Sequence, residues 1–423
     1  MSTTALFTDR YELTMLGAAL RDSTASRRCS FEVFARRLPD GRRYGVVGGT
    51  ARVLDAIVDF RLTGEDVAYL REDGVIDETA ADYLASFRFG GDVDGYPEGE
   101  LYFPQSPIMT VSGTFAEAVV LETLVLSILN HDSAIAAAAA RMVAAAAGRP
   151  VIEMGSRRTH ERAAVAAARA AYLAGFASTS NLAAGQRYGI PTAGTAAHSF
   201  TLLHDDERAA FAAQTASVGT STTLLVDTYD ITRGIATAVE VAGPQLGAVR
   251  IDSGDLGVLA RLAREQLDSL GATGTRIVVS GDLDEFAIAA LAAAPVDAYG
   301  AGTAVVVGSG APTAGLVYKL VEVDGHPVAK RSEHKASAGG RKTALRAYKP
   351  SGTALEEIVA RGTPEPHEGE RFLQRPLMRA GEAVAGLPSL DESREHLRAA
   401  TITLPWDGLK LSRGEPAIPT RLV

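Results

Sequence analysis

Polar side chains and glycines follow a series of short apolar runs between residues 151 and 303. In chain order they are Arg157 and Arg158, Asn181, Thr195 and His198, Asp227, Asp252 with Ser253 and Gly254, Gly281 and Asp282, and Gly300, Gly302 and Thr303. In a parallel α/β barrel, the residues that directly follow the strands form the active site at one rim. Carboxylates, arginines, a histidine and glycine turns on one rim indicate a site for a phosphorylated substrate, with Mg²⁺ as a metal partner.

Two of these segments place glycines between a predicted strand and a predicted helix, namely SGDLDEF at 280–286 and YGAGTAVV at 299–306. Free backbone N–H groups and the helix dipole at such a junction bind phosphate. Both segments follow the last two predicted strands, where barrels often hold a phosphate. The alternative is that these glycines only make tight turns.

The segment IDSGDL at 251–256 leaves several roles open for its two aspartates. Asp252 and Asp255 could bind a metal, accept hydrogen bonds from ribose hydroxyls, or cap the next helix, which is the commoner use of Asp at such positions. Alternation along the strand turns Arg250 towards the barrel or its rim. An unpaired guanidinium there is costly, so Arg250 needs an anionic partner, either Asp252 or a ligand.

His198 is the histidine with the most suggestive position, because it follows the turn at Gly194 and Thr195 after a predicted strand. Most other histidines lie among charged residues and are expected to be solvated. A histidine at this position could serve as a general base, or as a nucleophile that is itself phosphorylated.

The elements that must position these residues are strand-then-helix units. About seven such units follow one another from Pro150 onwards, the pattern of a parallel α/β sheet or barrel. No G-x-G-x-x-G follows the first strand, and no P-loop can precede Lys319, the first lysine, so an irregular parallel α/β barrel is favoured over an open nucleotide-binding sheet.

Three regions are expected along the chain. Residues 1–112 mix short apolar runs with glycine and proline turns and predict a β-rich outer domain. Residues 113–322 form the barrel domain, whose alanine-rich segment after Phe115 is interpreted as core helices rather than a membrane span. Residues 323–423 pack back on the outer domain, which is therefore discontinuous.

Composition excludes several classes of protein. The chain has 423 residues, 46% of them hydrophobic, and a net charge of −9, the wrong sign for binding nucleic acid or an anionic membrane. Cys29 is its single cysteine, which excludes an intramolecular disulfide framework or a cysteine-cluster zinc site. The N-terminus has no apolar signal segment, so a cytoplasmic location is expected.

A set of motifs in fixed order resembles the nicotinate phosphoribosyltransferase family. The resemblance runs from about Leu6 to Lys342. It is carried by LFTDRYELTML, FEVFARRLP, EMGSRR, FASTSN, GTAAHSF, VRIDSGDL, DAYGAGT and VYKLVEVDGHPVAKRS.

The resemblance implies a type II phosphoribosyltransferase, normally a homodimer with active sites shared between subunits. The implied reaction joins nicotinate to phosphoribosyl pyrophosphate and gives nicotinate mononucleotide and pyrophosphate. ATP is hydrolysed as a co-substrate, and the reaction belongs to NAD salvage.

The resemblance also implies roles for single residues. His198 would be the transiently phosphorylated histidine, and Tyr11 would stack on the pyridine ring from the neighbouring subunit. Thr195 and Arg250 match nicotinate contacts and Thr303 a contact to phosphoribosyl pyrophosphate. The less sharply defined substrate positions are Arg157, Asp227, Asp252, Gly281, Asp282, Gly300 and Gly302.

Physical chemistry is compatible with those implied roles. Nicotinate is a planar anion that needs an aromatic face and a cation or donor at its carboxylate, as Tyr11 and Arg250 would provide. Asp252 can stabilise positive charge on the ribose, while Mg²⁺ and glycine-turn amides stabilise the departing pyrophosphate.

Alternative functions differ in what they require of the chain. The sibling nicotinamide phosphoribosyltransferase has an aspartate at the position that matches Asn181. An uncharged Asn181 favours nicotinate over nicotinamide as the substrate. Quinolinate transfer needs more cationic groups, and a Schiff-base aldolase needs a barrel lysine, yet none precedes Lys319. A catalytically silent binder of phosphoribosyl compounds or nucleotides is the non-enzyme alternative; His198 with Asp252 and Arg250 counts against it.

Overall fold

The computed structural model describes residues 3–330 and 338–423. Residues 331–337, which include the end of the VYKLVEVDGHPVAKRS motif and part of the predicted 323–423 segment, lie outside the described residues. The chain divides into two compact units, one made of Met1–Ala137 with Ala311–Val423 and the other of Ala138–Gly310.

The first part of the chain is mixed α and β. Its helices are α1 (Arg10–Arg21), α2 (Thr50–Val58), α3 (Gly64–Glu72), α4 (Glu78–Ala85), α5 (Phe115–Val119) and α6 (Glu122–Ala146). Its strands are β1 (Arg28–Ala35), β2 (Gly45–Val46), β3 (Asp92–Gly95), β4 (Leu101–Tyr102) and β5 (Met109–Thr114). Local sequence explains several boundaries; Thr63 and Asp66, for example, form a capping box that begins α3.

The helical segment Phe115–Ala146 is long and apolar enough to cross a bilayer by length and composition alone. Inside this protein, 67% of its apolar window is buried. Burial of that kind is typical of the core helix of a folded domain, where a helix is apolar all round.

The middle part of the chain alternates strands with helices. The strands are β6 (Val151–Glu153), β7 (Ser178–Thr179), β8 (Thr223–Leu225), β9 (Ala248–Ile251), β10 (Arg276–Ser280) and β11 (Ala298–Ala301). The helices are α7 (Glu161–Leu173), α8 (Leu182–Tyr188), α9 (His198–Leu203), α10 (Glu207–Val218), α11 (Ile231–Ala242), α12 (Leu256–Ser269), α13 (Glu285–Ala290) and α14 (Thr303–Val306).

Within 138–310, all of which the structure describes, the six strands pair in parallel in the order β7-β6-β11-β10-β9-β8. Buried apolar residues of these strands, such as Leu224, Val249 and Ile277, form the core beneath the flanking helices. The mixed α/β class predicted from sequence is confirmed, but the sheet is open in this range. The third predicted strand, around Thr192, forms only an isolated bridge to Thr179, because its glycine, proline and alanine residues give few apolar side chains to bury.

The last part of the chain returns to the first unit. It contains β12 (Leu316–Val323), β13 (His326–Pro327), β14 (Lys342–Tyr348), β15 (Ala354–Arg361), β16 (Glu370–Phe372), β17 (Arg375–Arg379), β18 (Glu382–Ala383), α15 (Leu390–Ile402) and β19 (Thr420–Leu422). Among the described residues of this unit, the largest sheet runs β13-β12-β1-β5-β3-β17-β18. The sequence boundaries at 112/113 and 322/323 fall inside β5 and β12, two strands of this sheet, and the compact units divide instead at 137/138 and 310/311.

A buried ion-pair network joins separate segments of the first unit. The guanidinium of Arg346, whose side chain is 1% exposed, contacts Glu100 at 2.6 Å and Glu357 at 3.0 Å. Arg371 and His396 also reach Glu100, at 2.8 and 2.9 Å. A buried charge is tolerated only when it is paired, so this network joins β14, β15 and the segment before β4.

Candidate active site

A cleft of about 500 Å³ lies at the carboxyl ends of the parallel strands, lined entirely by residues of the second unit. Most of the predicted site residues line it: Arg157, Thr195, His198, Arg250, Asp252, Gly281, Asp282, Gly300, Gly302 and Thr303. Arg158, Ser180 and Ser280 line it as well. A cleft of this volume can enclose a small-molecule substrate.

The remaining predicted residues have other positions. Asp227, Ser253 and Gly254 are not among the residues that line the cleft. Ser253 Oγ donates to Asp227 Oδ2 at 2.7 Å, and Gly254 occupies the turn that follows, with φ +83°. Tyr11 belongs to the first unit, on α1, and is 46% exposed. Burial, together with the nearby charges of Glu122 and Glu12, raises the pKa of the Tyr11 hydroxyl to about 12.

Arg250 is the centre of the hydrogen-bond network on the cleft floor. It lies near the end of β9, and its guanidinium donates to Ser280 Oγ at 2.7 Å, Thr195 Oγ1 at 3.2 Å and Asp252 Oδ1 at 2.9 Å. Ser280 Oγ also donates to Asp252 Oδ1. Arg250 therefore has the anionic partner that its position demands, and its guanidinium still lines the cleft.

These contacts set the ionisation of Asp252. Burial raises the pKa of its carboxyl, but the Ser280 hydrogen bond and the Arg250 charge outweigh burial, so the pKa lies below its ordinary value. Its other oxygen, Oδ2, faces His198 Nε2 at 4.0 Å. Asp252 is thus held as a carboxylate at the cleft, one that can stabilise positive charge.

His198 begins α9, and its side chain is 41% exposed. Its Nδ1 lies 3.1 Å from Thr228 Oγ1, which holds the ring orientation. Its Nε2 lies 4.0 Å from Asp227 Oδ1 and from Asp252 Oδ2. The imidazole therefore has one nitrogen bonded to the protein and the other facing two carboxylates, an arrangement that suits a nucleophile or base.

Asp227 follows β8, and its two carboxylate oxygens have different surroundings. Its Oδ2 accepts from the Asp252 backbone N at 2.8 Å and from Ser253 Oγ at 2.7 Å. Its Oδ1 is buried without a hydrogen-bond partner among the described residues. An unsatisfied buried carboxylate oxygen is costly, so Asp227 is suited to bind a cation.

Asn181 has a local structural role in this fold. Its Oδ1 accepts from the Ala184 backbone N at 2.9 Å as the N-cap of α8, and its Nδ2 donates to Ser156 Oγ at 3.0 Å. Ser180, one residue earlier, lines the cleft instead. Sequence reasoning missed this distinction because a polar N-cap and a polar site residue look alike at a strand end.

The glycine turns after β10 and β11 allow close approach of backbones. Gly281 has φ +108°, and a Cβ there would lie 2.5 Å from the Asp252 carbonyl oxygen; Asp282 also has positive φ, at +39°. A Cβ on Gly300 would lie 2.8 Å from Met154 Sδ. The helices that follow, α13 and α14, have six and four residues, so backbone amides rather than a long helix dipole are available to a phosphate.

Two exposed arginines, Arg157 and Arg158, follow β6 and line the cleft. Neither forms an ion pair with a carboxylate of residues 3–330 or 338–423. They are therefore free to bind an anionic substrate.

Sequence reasoning also missed Glu207, at the start of α10. Burial raises the pKa of its carboxyl to about 7; the Arg233 charge opposes this shift, and the Asp230 and Asp227 charges add to it. No signal in the sequence distinguishes Glu207 from the exposed acidic residues around it.

The carboxylates supply part of a magnesium site. No group of three or more His, Cys, Asp or Glu side chains in the described chain is arranged to hold a metal by itself. Asp227, with its unpartnered Oδ1, and Asp252 supply two oxygen donors. Mg²⁺ commonly binds through one or two carboxylates and takes its other ligands from waters and substrate phosphates, so this donor set fits it.

Arginines, carboxylates and glycine turns at the carboxyl edge of a parallel sheet define an α/β enzyme that binds an anionic, phosphorylated substrate. Comparison with known proteins narrows that class. The protein-family model of the nicotinate phosphoribosyltransferase (NAPRTase) N-terminal domain matches residues 6–130 of this chain. A nicotinate phosphoribosyltransferase of Mycobacterium tuberculosis is 63% identical over 431 residues, covering 99% of this chain and 95% of the relative.

Two further relatives agree. A nicotinate phosphoribosyltransferase of Bacillus subtilis is 37% identical, covering 81% of this chain and 73% of its own. The crystal structure of human nicotinic acid phosphoribosyltransferase superposes with a TM-score of 0.85 at 28% identity, covering 98% of this chain and 97% of that one. The chain belongs to the nicotinate phosphoribosyltransferase family, and the resemblance stated from its motifs is confirmed.

Proposed function

We propose that this protein joins nicotinate to phosphoribosyl pyrophosphate, coupled to hydrolysis of ATP, and so feeds NAD synthesis by salvage. The products are nicotinate mononucleotide, pyrophosphate, ADP and phosphate. Family membership supports the reaction, and the network of Arg250, Asp252, Asp227 and His198 in the cleft is the observation that carries it.

His198 is the proposed phosphoryl acceptor. The hydrogen bond between Nδ1 and Thr228 Oγ1 leaves the Nε2 lone pair as the nucleophile when the proton is on Nδ1. Nε2 attacks the γ-phosphorus of ATP, and the bond to ADP breaks. Hydrolysis of the phosphohistidine later returns the free imidazole and releases phosphate.

In base transfer, the nicotinate ring nitrogen attacks the ribose carbon as its bond to pyrophosphate breaks, and pyrophosphate leaves with the electron pair. Asp252, held ionised by Ser280 and Arg250, stabilises the positive charge that develops on the ribose. Asp227 and Asp252 are the residues that would hold Mg²⁺ with the pyrophosphate, where the ion would neutralise charge on the leaving group.

The substrate contacts follow from charge and shape. Arg250, Thr195 and Arg157 bind the nicotinate carboxylate through charge-assisted hydrogen bonds, with Asn181 nearby as a cap. Tyr11 of a second subunit stacks on the ring, which makes the working enzyme a homodimer with shared sites. The phosphoribosyl and phosphate contacts are assigned to Asp227, Ser253, Gly254, Gly281, Asp282, Gly300, Gly302 and Thr303.

The six-stranded sheet works as an incomplete, irregular barrel, and the active site lies at its carboxyl edge. The enzyme is assigned to the cytoplasm.

The deciding experiment mixes the purified protein with nicotinate, phosphoribosyl pyrophosphate, Mg²⁺ and ATP. The same assay is repeated with nicotinamide in place of nicotinate, and mononucleotide and ADP are measured together. Nicotinate mononucleotide with stoichiometric ADP supports the proposal. Product from nicotinamide alone, or from neither base, rejects it.

A further inference from the structure

Glu153 is a buried carboxylate directly beneath the cleft rim, at the end of β6. It is 1% exposed, and no Lys, Arg or His of the described residues lies within ion-pair distance of it. A buried carboxylate without a cation is expensive, because burial disfavours its charge. Its hydrogen bonds must therefore offset that cost, and they all lead to segments that form the cleft.

One oxygen of Glu153 holds the segment that carries the two free arginines. Its Oε1 accepts from the Gly155 backbone N, which closes a turn immediately before Arg157 and Arg158. Gly155 has no room for a side chain, since a Cβ there would lie 2.2 Å from Val306 Cγ1. The arginine segment thus leaves the sheet in a direction set by the Glu153 carboxylate.

The other oxygen holds the next strand. Glu153 Oε2 accepts from Thr179 Oγ1 at 2.5 Å, and the same Thr179 oxygen accepts from the Asn181 backbone N at 3.0 Å. The Ser180 backbone N donates to the Glu153 carbonyl at 2.8 Å. Ser180, which lines the cleft, therefore lies between two residues of this network and is itself bonded to the Glu153 carbonyl.

Thr179 also connects to the third segment of the rim. Its carbonyl accepts from the Ala193 backbone N at 2.9 Å, and its own N donates to Pro191 at 3.0 Å. This segment has only an isolated bridge to the sheet, and it leads into Thr195 in the cleft. The Asn181 Nδ2 bond to Ser156 Oγ closes the network back to the first segment.

We propose that Glu153 and Thr179 form a positioning pair that fixes the three substrate-binding segments 154–158, 180–181 and 191–195 against one another. The inference rests on the proposed function, in which Arg157 and Thr195 bind substrate. The pair does not touch the substrate itself. The His198 ring is oriented by Thr228 after β8, and Asp227 and Asp252 follow β8 and β9. The pair therefore governs substrate binding more than the phosphorylation of His198.

Thr179→Val tests the pair without removing the buried carboxylate, because valine has the same shape but no hydroxyl. Loss of the link lets the arginine segment shift relative to Ser180, and misplacement by about 1 Å can cost far more than tenfold in rate. We expect KM for nicotinate and for phosphoribosyl pyrophosphate to rise by about tenfold or more. ATP hydrolysis without nicotinate should stay near wild type. The unfolding midpoint should fall, because one oxygen of the buried Glu153 carboxyl loses a hydrogen bond that offset the cost of burial.

Two variants serve as controls. Thr179→Ser keeps the hydroxyl and should restore both KM values to within about twofold of wild type. Thr275→Val removes another buried threonine hydroxyl of the same unit, one that donates to the Leu246 carbonyl at 2.9 Å beside the amino end of β10, and should leave both KM values unchanged. Glu153→Gln, which disrupts the pair from its other side, should raise the same KM values as Thr179→Val.

Unchanged KM values in Thr179→Val would overturn the inference. Equal losses of activity and unfolding midpoint in Thr179→Val and Thr275→Val would overturn it too, since Thr179 would then contribute only stability. If the wild type turns over no nicotinate, the proposed function fails separately, and the pair is then judged by calorimetric titration with pyrophosphate and Mg²⁺. Binding about tenfold weaker in Thr179→Val than in Thr275→Val supports the pair, and equal binding rejects it.

Discussion

The Nε2 of His198 lies 4.0 Å from Oδ1 of Asp227, an oxygen that is buried and has no hydrogen-bond partner among the described residues. At that separation the two groups attract one another without a direct hydrogen bond in the absence of substrate. The separation also leaves room between the two atoms. Catalytic contacts of this kind often shorten only when substrate binds.

Replacing His198 with alanine separates the two halves of the proposed reaction. His198→Ala should lose ATP hydrolysis and keep slow base transfer, because the groups around Arg250 remain. The measurement is ADP formation and mononucleotide formation in the same assay, at saturating phosphoribosyl pyrophosphate. Normal ATP hydrolysis in this variant would show that His198 is not the phosphorylated residue.

Asp227→Asn keeps the size of the side chain and removes its charge. The amide can still accept from Ser253 and the Asp252 backbone, so the fold should persist, whereas the stabilisation of a cationic or phosphorylated imidazole is lost. ATP hydrolysis should fall by about tenfold to a hundredfold, the range for a lost electrostatic contact. The measurement is the rate at which radiolabelled phosphate from ATP is trapped on the protein. A labelling rate equal to that of the wild type would contradict the prediction.

Ser280→Ala should change the pH dependence of activity. The pKa of Asp252 is depressed, so its carboxylate is present above that pKa and is lost as pH falls through it. Removing the Ser280 hydrogen bond raises the pKa, and the acidic limb of kcat/KM moves to higher pH by roughly half a unit to one unit. If the acidic limb of the kcat/KM profile does not move, Asp252 does not control that limb. Ser269→Ala, which removes an exposed hydroxyl, is the control.

The sequence predicted the cleft better than it predicted the sheet. Strand ends converge in any parallel sheet, so Arg250, Asp252 and His198 could be grouped from their positions alone. The sheet stays open beside β7, where Thr192 forms only an isolated bridge to Thr179, and apolar patterning cannot detect pairing this weak. Glu153 was missed because it is the last residue of β6 rather than one that follows the strand, and its importance comes from Thr179, a partner in another strand-then-helix unit.

Long-range ion pairs were also invisible to sequence reasoning, and Arg346 is the clearest case. Arg346→Met should lower the free energy of unfolding by about 3–5 kcal/mol, because Glu357 and Glu100 lose a buried partner. Arg421→Met is the matched control, since Arg421 pairs with Glu356 at the surface, where such a pair contributes less than about 1 kcal/mol. Denaturant unfolding of both variants measures the difference, and equal losses would contradict it.

Discrimination between nicotinate and nicotinamide provides the last prediction. Asn181 was expected to favour the acid, but both polar atoms of its side chain are used by Ala184 and Ser156, while Ser180 lines the cleft. A carboxylate at 180 should therefore repel nicotinate and accept from an amide, whereas a carboxylate at 181 would still cap α8.

The comparison needs Ser180→Asp and Asn181→Asp, each assayed for kcat/KM with both bases. Ser180→Asp should shift the acid/amide ratio towards the amide by about tenfold or more, a change of about 1.4 kcal/mol, because the new carboxylate repels the nicotinate carboxylate. A larger shift in Asn181→Asp would return the discriminating role to Asn181, and an unchanged ratio in both variants would leave it with Arg250 and Thr195.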